Sequence, residues 1–288
     1  MLAFVHIHKT AGTTLASILK RSFGARHCNA YSWSKDGPYF SAADYRRLHR
    51  LYSSLESMLG HEIRAYSDLE EACPAVAYYT FVRDPLVRCA SHYQYDRQRG
   101  GVEMRFEEWI QDDKTHDRQV RHIAGPEPDA QTAIALLEDN FFFVGLVERF
   151  DESLVLFQNV VGPDRLQSIH YFRKWAAPDD VIKDRLLNDR KTRALLEDAN
   201  RMDLELYEHV TREIYPRQRS DYGPGLDEAV TAFQASNRHT KKSDMYLTRN
   251  YIGYLLKWRL AYLPTVSISR GLSRLPPKAR NRQKTKDA

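Results

Sequence analysis

The sequence predicts an α/β fold of three layers: a central parallel sheet with helices on both faces. Two observations carry that prediction. Apolar runs of strand length recur along the chain, at Leu2–Ile7, in AVAYYTFV at 75–82 and in FFFVGLVE at 141–148. A strand buried on both faces needs such an unbroken run, whereas a half-exposed strand alternates. Between the runs lie stretches with helical spacing of apolar residues, and strands alternating with helices imply parallel crossovers.

The elements follow in order. After the first strand, Leu15, Ile18, Leu19 and Phe23 recur at helical spacing, so a helix starts near Thr13. A second helix is expected from Ala42 to about Met58, with Ser41 as its cap. The strand at 75–82 ends in Arg83-Asp84-Pro85, where Asp84 suits an N-cap and Pro85 a first helical position. Helical stretches are expected around 105–124 and 130–139. The strand at 141–148 leads into a helix over Phe150–Val161, stopped by Gly162-Pro163. Residues 179–216 read as helical, with Leu204, Tyr207, Val210 and Ile214 on one face. The pattern therefore predicts one domain over 1–222. Residues 223–288, with NRHTKKSDMYLTRN and PPKARNRQKTKDA, read as a polar and basic C-terminal extension, disordered in part.

Composition narrows the class. Of 288 residues, 42% are hydrophobic and 28% charged, which excludes a disordered or fibrous chain. The net charge is +5, so an anionic ligand is compatible with it. Cys28, Cys73 and Cys89 are too few and too scattered for a disulfide framework or zinc cluster, and no metal is expected. The opening apolar run is too short for a signal peptide, and no eighteen apolar residues run together. The expectation is a cytoplasmic protein without a transmembrane segment. The basic C-terminus offers peripheral contact with a membrane, although solubility is the simpler account. No signature of nucleic-acid recognition is present, and the sequence leaves oligomeric state open.

HIHKTAGTTL, residues 6–15, looks like a phosphate loop in an unusual order. In a Walker-type loop the lysine follows the last glycine and rides on the helix. Here Lys9 precedes Thr10, Ala11, Gly12, Thr13 and Thr14. Read as chemistry, the amides from Ala11 to Thr14 cradle one phosphate at a helix N-terminus, with Lys9 placed for whatever is attached to it. Read as plain structure, it is an ordinary strand-to-helix turn. RDPLVRCAS, residues 83–91, begins where the next strand ends. Arg83 and Ser91, helped by Arg88, could hold a second phosphate beside the first; alternatively Arg83 pairs with an acid and Ser91 is surface.

FVHIHKTAGTTL and YYTFVRDPLVRCASHY together resemble the sulfotransferases that use 3′-phosphoadenosine 5′-phosphosulfate (PAPS). The likeness is to the carbohydrate branch that includes the heparan sulfate and uronosyl 2-O-sulfotransferases, and it spans roughly residues 3–216. It implies a P-loop-like fold, PAPS as co-substrate, and a hydroxyl of a saccharide or glycoconjugate as acceptor. The first motif corresponds to that family's 5′-phosphosulfate loop and the second to its 3′-phosphate motif. Lys9 would then meet the leaving-group oxygen. LGHEIRAY, residues 59–66, resembles the segment carrying the family's base, which falls on His61; Glu62 is the rival. In the 2-O-sulfotransferases a second histidine stands two residues earlier, where this chain has Leu59. His6 and His8 flank the loop, and His6, on a strand, reads as a packed side chain. The stretch Asp117, Arg118, Gln119 and Arg121 would line the acceptor cleft, or else form a solvated helix face. Phe172–Trp175 could close over the nucleotide. Glu148, Arg149 and Asp151 read as supports for the loop after the last strand. A nucleotide kinase or NTPase, and a non-catalytic anion-binding module, remain the alternatives.

Overall fold

A computed structural model describes residues 1–34, 37, 39–172 and 181–269. Five strands form one sheet: β1 (Leu2–Val5), β2 (His27–Asn29), β3 (Ser57–Gly60), β4 (Ala77–Val82) and β5 (Phe141–Leu146). Their order is β2-β3-β1-β4-β5 and every pairing is parallel, which is the predicted class. β1 lies at the centre with all four residues buried, Val5 beside Gly60 of β3 and Phe4 beside Tyr79 of β4. From β1 the chain turns to one side for β2 and β3, then crosses to the other side for β4 and β5. The order reverses between β1 and β4, and in open parallel sheets the ligand crevice lies beyond the carboxyl ends of the strands at such a point.

Helices cover both faces. α1 (Gly12–Phe23) buries Leu15, Ile18, Leu19 and Phe23, the residues whose spacing announces it. α2 (Ala42–Leu51) starts on a capping box in which Ser41 and Asp44 bond each other's backbone N–H. α3 (Pro85–Arg99) starts where Asp84 accepts the Val87 N–H at 2.9 Å, with Pro85 at the first position. α4 (Phe106–Trp109), α5 (Arg118–Ala124), α6 (Ala130–Asn140) and α7 (Phe150–Val161) follow, then α8 (Val181–Asn188) and α9 (Arg190–Asp198). α10 (Arg201–His209) continues through a π turn into α11 (Tyr215–Tyr222).

The structure departs from the expected elements in three places. The helix after Ser41 ends at Leu51, and Met58 belongs to β3. Leu48, Leu51, Leu55 and Met58 keep a helical interval by coincidence, because Leu55 packs into the core from a loop. β2 goes unforeseen because HCN has no apolar run. Its His27 is buried with its ring nitrogens hydrogen-bonded to the Ser57 hydroxyl at 3.0 Å and to the side-chain Oδ1 of Asn29 at 3.1 Å. The stretch 105–124 is not one helix, since Asp117 turns the chain at φ 42° between α4 and α5.

After residue 222 the chain forms α12 (Leu226–Asn237), α13 (Lys242–Tyr246) and α14 (Arg249–Lys257), then a π turn into α15 (Leu263–Ser269). Leu226, Phe233, Tyr262 and Val266 join the main core, so much of the expected extension is packed structure. Residues 270–288 lie outside the described residues, as do Arg173, Lys174 and Trp175 of the expected nucleotide cover. The three cysteines are buried and free.

Candidate functional site

The loop after β1 is held in a costly shape. Lys9 and Ala11 both take left-handed backbone angles, φ 71° and 58°. For side-chain-bearing residues this costs of order 1–3 kcal/mol each, and it persists only where the surroundings enforce it. Part of the enforcement is Thr10, which is buried and donates its hydroxyl to the Ile7 carbonyl at 2.9 Å. Ala11 is the N-cap of α1 and supplies no side-chain acceptor, and the first turn contains no acid. Its amides and the helix dipole therefore favour an anion here. Thr13 is exposed, and the Thr14 N–H closes the first turn onto the Ala11 carbonyl at 3.0 Å. Gly12 has a reason the sequence does not display: a Cβ there would stand 1.8 Å from Nε2 of His6.

Arg83 joins this loop to β4. Its Nη1 donates to the Lys9 carbonyl at 3.1 Å, so the two predicted anion sites share one crevice. Its Nε lies 3.9 Å from the Glu148 carboxylate. Gln119 clamps its peptide from both sides, accepting the Arg83 N–H at 2.9 Å and donating to the Arg83 carbonyl at 2.8 Å. Gln119 is thus a fully buried positioning group for Arg83. Glu148 also accepts the Asp84 N–H at 3.1 Å and the Tyr207 hydroxyl at 3.0 Å, and so supports this corner as expected. The Lys9 ammonium sits 4.4 Å from the Tyr95 ring centroid. Burial, and then Arg83, push its pKa down from 10.5 to about 8. Ser91 is half-buried on α3, one turn before Tyr95 and on the same face.

Arg88 does not help Ser91 hold a ligand. It is fully buried, 3.9 Å from the Asp203 carboxylate, with Asn200 nearby at 3.5 Å. Asp203 accepts N–H groups of Gln119 and Val120, and Asp117 accepts the Asp203 N–H at 3.0 Å. The two aspartates thus cap each other's helices, α5 and α10. Burial, opposed by Arg88, raises the Asp203 pKa to about 6.

His61 follows β3 directly and is sandwiched between two imidazoles. Its ring centroid lies 3.9 Å from that of His6 and 3.7 Å from that of His8, with interplanar angles of 23° and 11°. Its Nδ1 is 2.8 Å from the His6 carbonyl oxygen. A carbonyl only accepts, so Nδ1 carries the proton and Nε2 presents the lone pair. Around the stack lie His92, His122, Arg64 and Arg118. Burial holds His8 at about 2 and His92 at about 3, aided by the neighbouring cations. His122 is lowered well below its usual value by burial and by Arg64, which donates to its Nε2 at 2.8 Å. Neutral imidazoles at His8, His92 and His122 stand among Arg64, Arg83, Arg118 and Lys9, with Glu148 beside Arg83 and Asp96 beside His92 as the acids on this corner. A ligand with several negative charges fits this donor set.

The remaining predicted residues separate. Glu62 directs its carboxylate to the Ser32 N–H and its carbonyl to the Phe40 N–H at 2.7 Å, which ties it to the β2 loop. Arg121 leaves the crevice and lines a separate depression with Asp113, His116, Asp117, Asp198, Arg201 and Met202. Phe172 is exposed. Asp151 accepts from the Tyr171 hydroxyl at 2.8 Å and from Gln234 at 3.0 Å, as a loop support. His8, Arg64, His92 and His122 are the crevice residues without a predicted role. His8, beside Lys9, Arg64 in LGHEIRAY and His92 in YYTFVRDPLVRCASHY lie in the quoted motifs, whereas His122 converges from a separate segment.

The sequence has counterparts among known proteins. The model of the Sulfotransferase family matches residues 1–210. Over 272 residues the chain is 24% identical to galactosylceramide sulfotransferase of Bos taurus, covering 84% of this chain and 63% of that protein. The Homo sapiens galactosylceramide sulfotransferase is 24% identical over 270 residues, 83% of this chain and 63% of its own length. This chain therefore spans about 63% of the length of the curated relatives it matches. Because the matched span runs from β1 through α10 and contains every crevice residue described above, the chain belongs to the sulfotransferase family.

Proposed function

We propose that the chain is an enzyme that transfers a sulfuryl group from PAPS to a hydroxyl of a saccharide-bearing glycoconjugate. The observation that carries this reading is the orientation of His61. The His6 carbonyl holds its Nδ1 proton, and the lone pair of Nε2 can take a proton from an acceptor hydroxyl. The donor set fits the proposed co-substrate: the Lys9–Thr14 loop would hold its 5′-phosphosulfate, and Arg83 with Ser91 its 3′-phosphate. PAPS would supply an activated sulfuryl group on a leaving phosphate. Lys9, held close by its own loop, would meet the negative charge that gathers on the oxygen left behind. Burial, and then repulsion from Arg83, depress the Lys9 pKa, and an anion beside both cations would offset that repulsion. Glu62 serves less well as base, since its carboxylate is engaged with Ser32. The names of the relatives single out a galactosyl lipid as the first acceptor to test.

The test begins with thermal shifts by 3′,5′-adenosine bisphosphate and by ATP with magnesium. Transfer of label from radioactive PAPS to galactosylceramide and to heparan-type saccharides follows. The bisphosphate should stabilise the fold and ATP–magnesium should not; the reverse order would make the chain a kinase-like nucleotide binder. His61→Ala should lower transfer by about 10²–10⁴-fold while the bisphosphate shift survives. If Glu62→Gln does this instead, the base assignment is wrong.

A further inference from the structure

We infer that the outer face of α14 and α15 docks this protein onto an anionic lipid surface. The helix packs inward by one face, where Tyr254, Tyr262 and Val266, eight and then four residues apart, are buried. Ile252, Leu256 and Leu260, at four-residue intervals, point the other way and are 45%, 56% and 75% exposed. Ile268 is 80% exposed beyond them. A globular helix ordinarily places charged or polar side chains on that face. Here aliphatic side chains form the outer stripe, and the exposed Arg249 and Arg259 accompany it.

Charge selects the occupant. From residue 245 to residue 286 the sequence contains ten arginines and lysines and no acid. An apolar stripe flanked by the exposed Arg249 and Arg259, on a convex helix rather than in a groove and in a stretch of sequence rich in positive charge, is the pattern of a helix lying in the headgroup layer of anionic lipids. Lys257 and Arg259 interrupt the apolar run, and no helix among the described residues is long and apolar enough to cross a membrane.

The helix also runs toward the crevice end of the sheet. Asn250 bonds the Arg21 carbonyl near the end of α1 at 2.8 Å. Trp258 donates to the Asn29 carbonyl at the end of β2 at 3.3 Å. The Tyr262 hydroxyl accepts the Tyr31 N–H at 2.7 Å, and the next N–H, that of Ser32, goes to Glu62 beside His61. A bilayer against this face therefore meets the protein on the flank whose loops carry the base. That link to a glycolipid acceptor rests on the proposed function, whereas the docking itself does not.

The test is co-sedimentation of the full chain with vesicles of phosphatidylcholine alone and of phosphatidylcholine with phosphatidylserine. Binding should require phosphatidylserine and weaken as salt rises. Leu256→Asp with Leu260→Asp should reduce it by about tenfold or more per leucine, leaving the melting temperature and the bisphosphate thermal shift unchanged. Arg249→Gln with Arg259→Gln should reduce it about fivefold per residue. If the aspartate variant does not fold, Leu256→Gln with Leu260→Gln decides the matter by the same criterion. Absence of binding to the anionic vesicles, or unchanged binding by the leucine variants, would overturn the proposal. So would a dimer in sedimentation velocity that the leucine variants dissolve while vesicles bind neither form. Loss of the bisphosphate shift in the unaltered protein would strike the proposed function and leave the docking result standing.

Discussion

Gly12→Ala is the most discriminating small change the structure offers. By propensity alone it should help, since alanine is favoured over glycine in a helix by about 0.8–1 kcal/mol. Nor does the backbone object, because Gly12 is not among the residues at positive φ. The obstacle is His6, whose Nε2, Cδ2 and Cε1 would lie 1.8, 2.2 and 2.4 Å from the new methyl group. Ordinary contact begins near 3.4 Å, so the ring must retreat by about 1.6 Å. It has little room, being stacked between Phe4 at 5.3 Å and His61 at 3.9 Å. Overpacking of this kind costs about 1–3 kcal/mol, which outweighs the propensity gain. The displaced ring also presses on the His61 imidazole, and misplacing a catalytic group by about 1 Å costs about 10²-fold in rate. The variant should therefore melt lower and lose about two orders of magnitude in kcat, with bisphosphate binding retained. His6→Ala in the same chain should relieve the clash, giving a coupling above about 1 kcal/mol in thermal melts. A Gly12→Ala protein as stable and active as the parent, or a double variant whose losses simply add, would refute the packing argument.

Two further outcomes follow from buried charge. Lys9, lowered to about 8, releases its proton in the folded state before the unfolded chain does, near 10.5. Between those values the unfolded chain binds more protons, so this residue's contribution to stability rises with pH, while activity that needs the ammonium declines above about pH 8. Lys9→Arg should move that alkaline decline upward, and an unmoved pH–rate profile would assign it to another group. Asp203→Asn leaves the Arg88 guanidinium buried without its counter-ion and should cost about 3–5 kcal/mol in chemical denaturation; a loss below about 1 kcal/mol would mean that the pair carries little of the fold.

Local order along the chain determined much of this protein. The apolar runs at 2–7, 75–82 and 141–148 specify buried strands, because two-sided burial leaves a continuous mark. The Asp84-Pro85 start of α3 and the Ser41 cap of α2 were equally legible, since capping is chemistry between residues only a few positions apart. Lys9 and Arg83 were readable as crevice residues because each lies within a few residues of a strand end, and those ends converge in any parallel sheet. Tertiary structure alone decided what lies between distant segments. β2 and β3 are too short and too polar to show a period, and pairing with neighbours makes them strands. Gln119 reads as a solvated helix residue until Asp203 caps α5 and turns it onto the Arg83 peptide. The histidine stack brings His6 and His8 against His61 from fifty residues away, and the tautomer of the base depends on a backbone carbonyl across that gap. Spacing along a chain encodes contacts within a few turns; contacts between strand ends, and the burial that shifts their charges, exist only once the sheet has formed.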